Sequence, residues 1–294
     1  MGTATSFPLT QKLSGIRLLG SIARNRLAYM VLVPWSIFTL FIFIWLVFAS
    51  LKSNSELYAN LWGLPQALNF ENYAKAWNTA HIGSYFLNSL VIVSSSVIIT
   101  VLVGAMGAYA LARIPFPGNT LVQYGFIAGM GIPIQLLLVP LFMLLNKFRL
   151  VNSHLGLVLS YAAYLLPFTV FLLVSFFRSL PTELEESAAL DGASDFTVFW
   201  KIMLPLSMPG IITAVIFNFI TLWNEYLLAL ILLAKPAKWT VSLGLYNLRV
   251  VMGSTADWVS LFAGVIIMSV PVMTLYIFLS ERVISGLTLG ATKG

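Results

Sequence analysis

Five of the ten acidic residues of this chain, Glu183, Glu185, Glu186, Asp191 and Asp195, lie between Pro181 and Pro205. Thr182 followed by Glu185 makes a capping box behind Pro181. The three glutamates then fall near a helix N-terminus, where the macrodipole favours negative charge. Ala188, Ala189 and Leu190 propagate the helix, and Gly192 is placed to end it in a left-handed backbone. Ser194 or Asp195 can cap a second helix, which Pro205 and Pro209 limit. The stretch predicts a helix of about ten residues, ~15 Å long, a sharp glycine turn, and another short helix. Local features alone equally allow a solvated acidic connector between two membrane spans.

A second polar set is Asn218, Thr221 and Glu225. Spacings of three and four residues put them on one helix face over about 10 Å, with Trp223 and Asn224 beside them. Such a face can line a polar passage through an apolar slab. A carboxylate inside a span is costly and faces protein or water, so Glu225 is a candidate pathway residue. The alternatives for it are an interhelical hydrogen-bond partner or a gate that never meets solute.

Other chemistries find no support. The chain has no Gly-x-x-x-x-Gly-Lys-Ser/Thr phosphate loop and no His-Glu-x-x-His. Gly129-Met-Gly131 lacks the third glycine and the strand context of a dinucleotide motif. Cysteine is absent, which removes disulfides and Cys-ligated metals. The two histidines, His81 and His154, are far apart and read as interface residues near span ends. No catalytic residue, metal or cofactor of the chain's own is expected, and it reads as a non-enzyme.

The elements that position these residues follow from composition. Of 294 residues, 59% are hydrophobic and only 9% charged, with mean hydropathy +0.93, against about 25% charged for a soluble domain. The fold class is therefore an all-α integral membrane protein, with membrane lipid around it. The net charge of +6 belongs to the flanks of spans rather than to a nucleic-acid surface. Met1-Gly2 with Ser6 matches a myristoylation pattern formally, but a chain anchored by its spans has no need of it.

Six spans are expected, at about 27–50, 85–111, 121–146, 154–177, 208–233 and 258–279. Residues 1–27 form a polar start, 28–283 the six-span domain and 284–294 a tail. Gly104, Gly107 and Ala108 allow close helix contact in span two, and Pro133 and Pro140 are expected kinks in span three. Residues 234–257 are expected to be an outer loop. Lys12, Arg17, Arg24 and Arg26 precede the first span and argue for cytoplasmic termini. Parity then puts the 181–205 stretch inside. The full bias is modest, nine Lys and Arg on inner segments against seven on outer ones, so the first flank carries the orientation.

The acidic stretch resembles the "EAA" signature loop of ABC-importer permeases: Glu-Ala-Ala, three residues, Gly, nine residues, Ile-x-Leu-Pro. Here Glu186-Ser187-Ala188 fills the triplet, Gly192 follows, and Ile202, Leu204 and Pro205 complete the pattern, with Ser187 its one departure. Ala108-Tyr-Ala-Leu-Ala-Arg113 with Phe116-Pro-Gly118 resembles the family's first inner turn. Trp223-Asn-Glu225 resembles sugar-importer permeases. Gly286-Leu-Thr-Leu-Gly290-Ala-Thr-Lys-Gly294 resembles the tail of the smaller (MalG-type) permeases of the maltose-importer family.

The resemblance implies a type I importer fold, half of a translocation pathway in a bacterial or archaeal cytoplasmic membrane, and a sugar or oligosaccharide substrate. It implies a second permease as heterodimer partner, two copies of a cytoplasmic ATPase that bind ATP and Mg, and an extracytoplasmic solute-binding protein. Glu185, Glu186, Ser187, Ala188, Ala189, Asp191, Gly192, Ile202, Leu204 and Pro205 would couple to the ATPase. Thr288, Gly290, Lys293 and Gly294 would contact it through the tail. Asn218, Thr221, Asn224 and Glu225 would lie on the pathway, and Trp239, Asn247, Arg249 and Gly253 would meet the binding protein. A permease for glycerol-phosphate-like solutes is the nearest alternative. An ion-coupled secondary transporter is further off, because no internal repeat is evident.

Overall fold

The computed structural model describes residues 9–255 and 257–291, with side chains described for 28–250 and 257–278. The backbone falls into two units, Met1–Asn69 and Phe70–Gly294.

In the first unit, α1 (Leu9–Ser50) carries an apolar segment, Ala28–Ser50, of mean hydropathy 2.4. That segment is long enough to cross a bilayer, because about 20 residues at 1.5 Å each span the hydrocarbon layer. Beyond it the chain folds back. The indole Nε1 of Trp45 donates to the Leu61 carbonyl at 3.0 Å, and Trp62 stacks on Phe41 and packs against Trp45. Ser53 caps the short helix Asn54–Ala59, and the buried Lys52 donates to the Asn60 carbonyl at 2.8 Å.

The second unit is built around α2 (Ile82–Arg113), with α3 (Asn119–Met130), α4 (Ile134–Lys147) and α5 (His154–Ser179) following in order. Helices α2 and α5 supply much of the buried core. They approach closely where α2 lacks side chains: a Cβ on Gly104 would lie 2.8 Å from Thr169 Cγ2. Ser96 and Thr100 return their hydroxyl protons to carbonyls four residues back, at 2.7 Å each, which satisfies them inside an apolar interface.

Then come α6 (Glu183–Leu190), α7 (Asp195–Leu206), α8 (Met208–Asn224), α9 (Leu227–Leu232), α10 (Val241–Thr255) and α11 (Trp258–Ala291). Among the described residues, four helices are long and apolar enough to cross a membrane. Counting the bent pairs α3–α4 and α7–α8 as one span each gives six.

Three features differ from the expected pattern. Span three is not one kinked helix: α3 and α4 meet at 104°. The break falls at Pro133, whose extended backbone (ψ 133°) starts α4, whereas Pro140 sits inside α4. A proline disfavours helical geometry in the residue before it, and the chain turns at Gly131-Ile132-Pro133. Residues 234–257 are not a simple loop. After the turn Pro236–Lys238, α10 begins at Val241, with the Leu243 amide donating to Thr240 Oγ1. Val241, Leu243, Gly244 and Leu245 are buried, and the polar Ser242, Asn247 and Arg249 disguise that pattern in the sequence. Finally, α11 continues past the expected end of span six to Ala291.

The first turn of α5 admits no side chain at its glycine. A Cβ on Gly156 would lie 2.2 Å from the Leu150 carbonyl oxygen, a backbone atom, and the Gly156 amide donates to the Ser153 cap at 3.0 Å. Gly156→Ala is expected to destabilise the protein by about 1–3 kcal/mol, the usual cost of overpacking, read as a lower melting temperature in detergent. An unchanged melting temperature would contradict this packing.

Candidate functional site

At one end of the second unit, α6 and α7 form the acidic hairpin. Helix α6 ends in a full Schellman motif. Gly192 takes φ +78°, its amide donates to the Ala189 carbonyl at 3.0 Å, and the Ala193 amide donates to the Ala188 carbonyl at 3.0 Å. These bonds satisfy carbonyls that the helix end leaves open. Ser194 caps α7 through the Thr197 amide. The N-terminus is arranged differently from the expected capping box. Thr182 has helical backbone angles and its side chain caps nothing. Glu185 instead faces Arg113 at the end of α2, with Oε2 at 3.3 Å from Nε.

The hairpin has two faces. Ala188 is buried and Ile202 and Leu204 pack partly against the core, while Glu186, Ser187, Ala189, Asp191, Gly192 and Pro205 are exposed. Of the large apolar side chains exposed on the hairpin, Leu190 at 89% and Phe196 at 70% stand out furthest. Outside a bilayer, an apolar side chain this exposed on a capped helix is poorly placed for stability and well placed for docking. Beneath the hairpin, Tyr109 packs on Phe177 and Phe199 with ring centroids 5.7 and 5.3 Å away. The neighbouring turn is braced as well. Asn119 Nδ2 donates to the Leu111 and Ile114 carbonyls, Gln123 Nε2 donates to the Leu111 carbonyl and to Asn119, and Arg178 donates to Gln123 Oε1 at 3.0 Å.

The polar set of span five does not share one continuous helix face, because α8 stops at Asn224 and Glu225 is extended (ψ 130°). Asn218 is fully buried and donates to Thr169 Oγ1 on α5 at 2.8 Å, while its Oδ1 accepts no hydrogen bond among the described residues. Thr221 and Asn224 are exposed and donate to carbonyls four residues back. Glu225 accepts from the hydroxyl of the buried Tyr161 at 2.6 Å and from the Leu228 amide at 2.8 Å, thereby capping α9. Trp223 is 1% exposed; its indole donates to the Met268 carbonyl at 2.9 Å, and its own carbonyl accepts from Ser242 at 2.5 Å. Tyr161 and Thr169 were not among the expected site residues. The available signal was that polar groups in an apolar span must find partners.

At the other end of the unit, the 235–240 segment is fastened on two sides. Asn88 Nδ2 donates to the Ala237 and Trp239 carbonyls at 3.0 Å each, and the Val241 amide donates to Ser89. Lys238 Nζ donates to the Asn152 carbonyl at 2.6 Å, and the Lys235 amide to Asn152 Oδ1. Trp239 is partly buried with its indole on the Leu233 carbonyl. Asn247 and Arg249 lie further along α10, and Arg249 is exposed. The backbone of Gly253, Thr288 and Gly290 is helical, but their side-chain surroundings lie outside the described residues, as do Lys293 and Gly294 entirely. No group of His, Asp or Glu able to hold a metal ion occurs among the described residues.

Comparisons with known proteins give the family and the fold. The family model for the binding-protein-dependent transport system inner membrane component matches residues 101–288. The chain is 40% identical over 267 residues to the diacetylchitobiose uptake system permease protein NgcG of Streptomyces coelicolor, covering 91% of this chain and 88% of that one. It is 34% identical over 251 residues to the trehalose transport system permease protein SugB of Mycobacterium tuberculosis, covering 85% and 91%. Its fold is similar to a chain in the crystal structure of a bacterial ABC transporter involved in the import of the acidic polysaccharide alginate. That match has a TM-score of 0.72 at 19% identity and covers 95% of this chain and 99% of the other.

Proposed function

Since the chain belongs to the binding-protein-dependent transport system inner membrane components, the multi-pass permeases of ABC importers, we propose that it forms half of the translocation pathway for a sugar or oligosaccharide. The observation that carries the mechanism is the α6–α7 hairpin, a short helix with a defined stop, braced beneath and carrying Leu190 and Phe196 outward. This hairpin docks on a partner ATPase that binds ATP and Mg; the chain has no phosphate loop of its own. Two ATPase copies and a second, unlike permease complete the membrane complex. The tail with Thr288, Gly290, Lys293 and Gly294 reaches the ATPases, and both termini are cytoplasmic.

The saccharide reading draws on the relatives' substrates, diacetylchitobiose and trehalose, and on exposed amide and hydroxyl groups. Thr221 and Asn224 are the residues available to a passing solute, whereas Asn218 and Glu225 shape the helices that present them. The fastened segment around Trp239, with Asn247, Arg249 and Gly253 on α10, receives the solute-binding protein. ATP-driven closure of the ATPase pair moves the hairpin, and the helices packed on it open the pathway outward. Such coupling requires contacts that differ between the two states.

The test is a mild-detergent pull-down of the tagged chain with subunit masses and ATPase activity. Recovery of a second multi-span chain and an ATPase in two copies is expected. A chain that elutes alone and carries solute down an ion gradient in liposomes would overturn the reading.

A further inference from the structure

We propose that Arg113 is the positioning residue that carries movement of the acidic helix into the bundle; this rests on the reading that the hairpin docks an ATPase. Arg113 ends α2 and its side chain is only 9% exposed. Its Nη2 donates to the Leu180 carbonyl at 2.5 Å, the residue that closes the C-terminus of α5. Its Nε lies 3.3 Å from Glu185 Oε2 on α6. One buried cation thus touches the ends of both central helices and the first turn of the acidic helix. Tyr109, one turn earlier on α2, packs on Phe177 and Phe199 at the same junction, and its hydroxyl interacts with the Glu185 carboxylate. Glu186 and Asp195 line the same hollow.

The Arg113–Glu185 contact is close but slack. Although Nε is within ion-pair distance of Glu185, it is buried and makes no aligned hydrogen bond. A guanidinium holds its donors in a rigid plane, so it cannot adjust to a carboxylate that lies off its axis. A modest rotation of α6 would align the pair and strengthen it, because charge-assisted hydrogen bonds depend steeply on geometry. The junction therefore has a different contact energy in two positions of α6, which is what a coupling element needs. The Leu180 bond holds the guanidinium in place while α6 moves.

The experiment uses the assembled importer in proteoliposomes and reads transport and binding-protein-stimulated ATPase together. Arg113→Gln and Glu185→Gln are each expected to cut transport about tenfold or more and to abolish stimulation of the ATPase by the binding protein. The double variant is expected to lose no more than the worse single, since both break the same ion pair. Stimulated ATPase and normal transport in Glu185→Gln, or additive losses in the double variant, would overturn the proposal. If Arg113→Gln fails to assemble, Glu185→Gln decides alone, because Glu185 is the more exposed partner. Gly192→Val is the control. If it uncouples while Glu185→Gln does not, only the role of Arg113 fails; if it too stays coupled, the docking reading fails.

Discussion

Uptake through an importer carrying Gly192→Val is expected to fall to background while the variant chain inserts and accumulates normally. Gly192 stands at φ +78°, and a residue with a Cβ pays about 1–2 kcal/mol to enter that region, more if β-branched. Nothing lies within 4 Å of a Cβ built there, so the penalty is conformational and not a clash. Two amide bonds depend on the turn, from Gly192 to the Ala189 carbonyl and from Ala193 to the Ala188 carbonyl. Losing them unwinds the end of α6 and redirects the chain toward Ser194, moving Leu190 relative to Phe196. Gly192→Asn, which tolerates the left-handed region, is expected to keep most of the uptake. Measuring uptake per unit of membrane-inserted protein checks both; wild-type uptake by the valine variant would sink the argument.

Replacing Glu225 by Ala is expected to produce the largest loss of stability. The carboxylate accepts from Tyr161 and from the Leu228 amide, and Tyr161 is fully buried. Removing the acceptor leaves two donors unsatisfied, each costing about 1–3 kcal/mol. Glu225→Gln retains an acceptor oxygen and is expected to be milder. Tyr161→Phe removes the donor together with its need and should be milder still. The order Ala, Gln, Phe from most to least damaging, read by melting temperature in detergent, distinguishes a carboxylate that fastens the α8–α9 break from one whose main role is solute contact. A Glu225→Ala variant with unchanged melting temperature and impaired uptake would favour solute contact.

The membrane class and the acidic hairpin were legible because both depend on near neighbours. Long apolar runs, the cap at Ser194 and the left-handed stop at Gly192 are local in origin, and the structure has them where the sequence puts them. Residues 234–257 were misread for the opposite reason. Val241 to Leu245 are all buried, Ser242 and Gly244 included, so a run that reads as polar and loop-like is packed only by tertiary contacts. The same limit applied to Asn218, Thr221 and Glu225. Their spacing describes a common face only if the helix runs on, and it stops at Asn224, with a different environment for each side chain.

Thr182 and Glu185 show how the division falls even within one motif. By its sequence alone, this chain determined that it crosses a membrane with helices, that Gly192 turns the acidic stretch, and that the stretch carries the signature spacing of its family. These depend on residues a few positions apart. Only the tertiary structure decided that Glu185 faces Arg113, that Glu225 fastens to Tyr161 and that Asn218 meets Thr169. Those partners are 72, 64 and 49 positions away, and a buried polar group takes whichever complementary group the packing of the helices brings within reach.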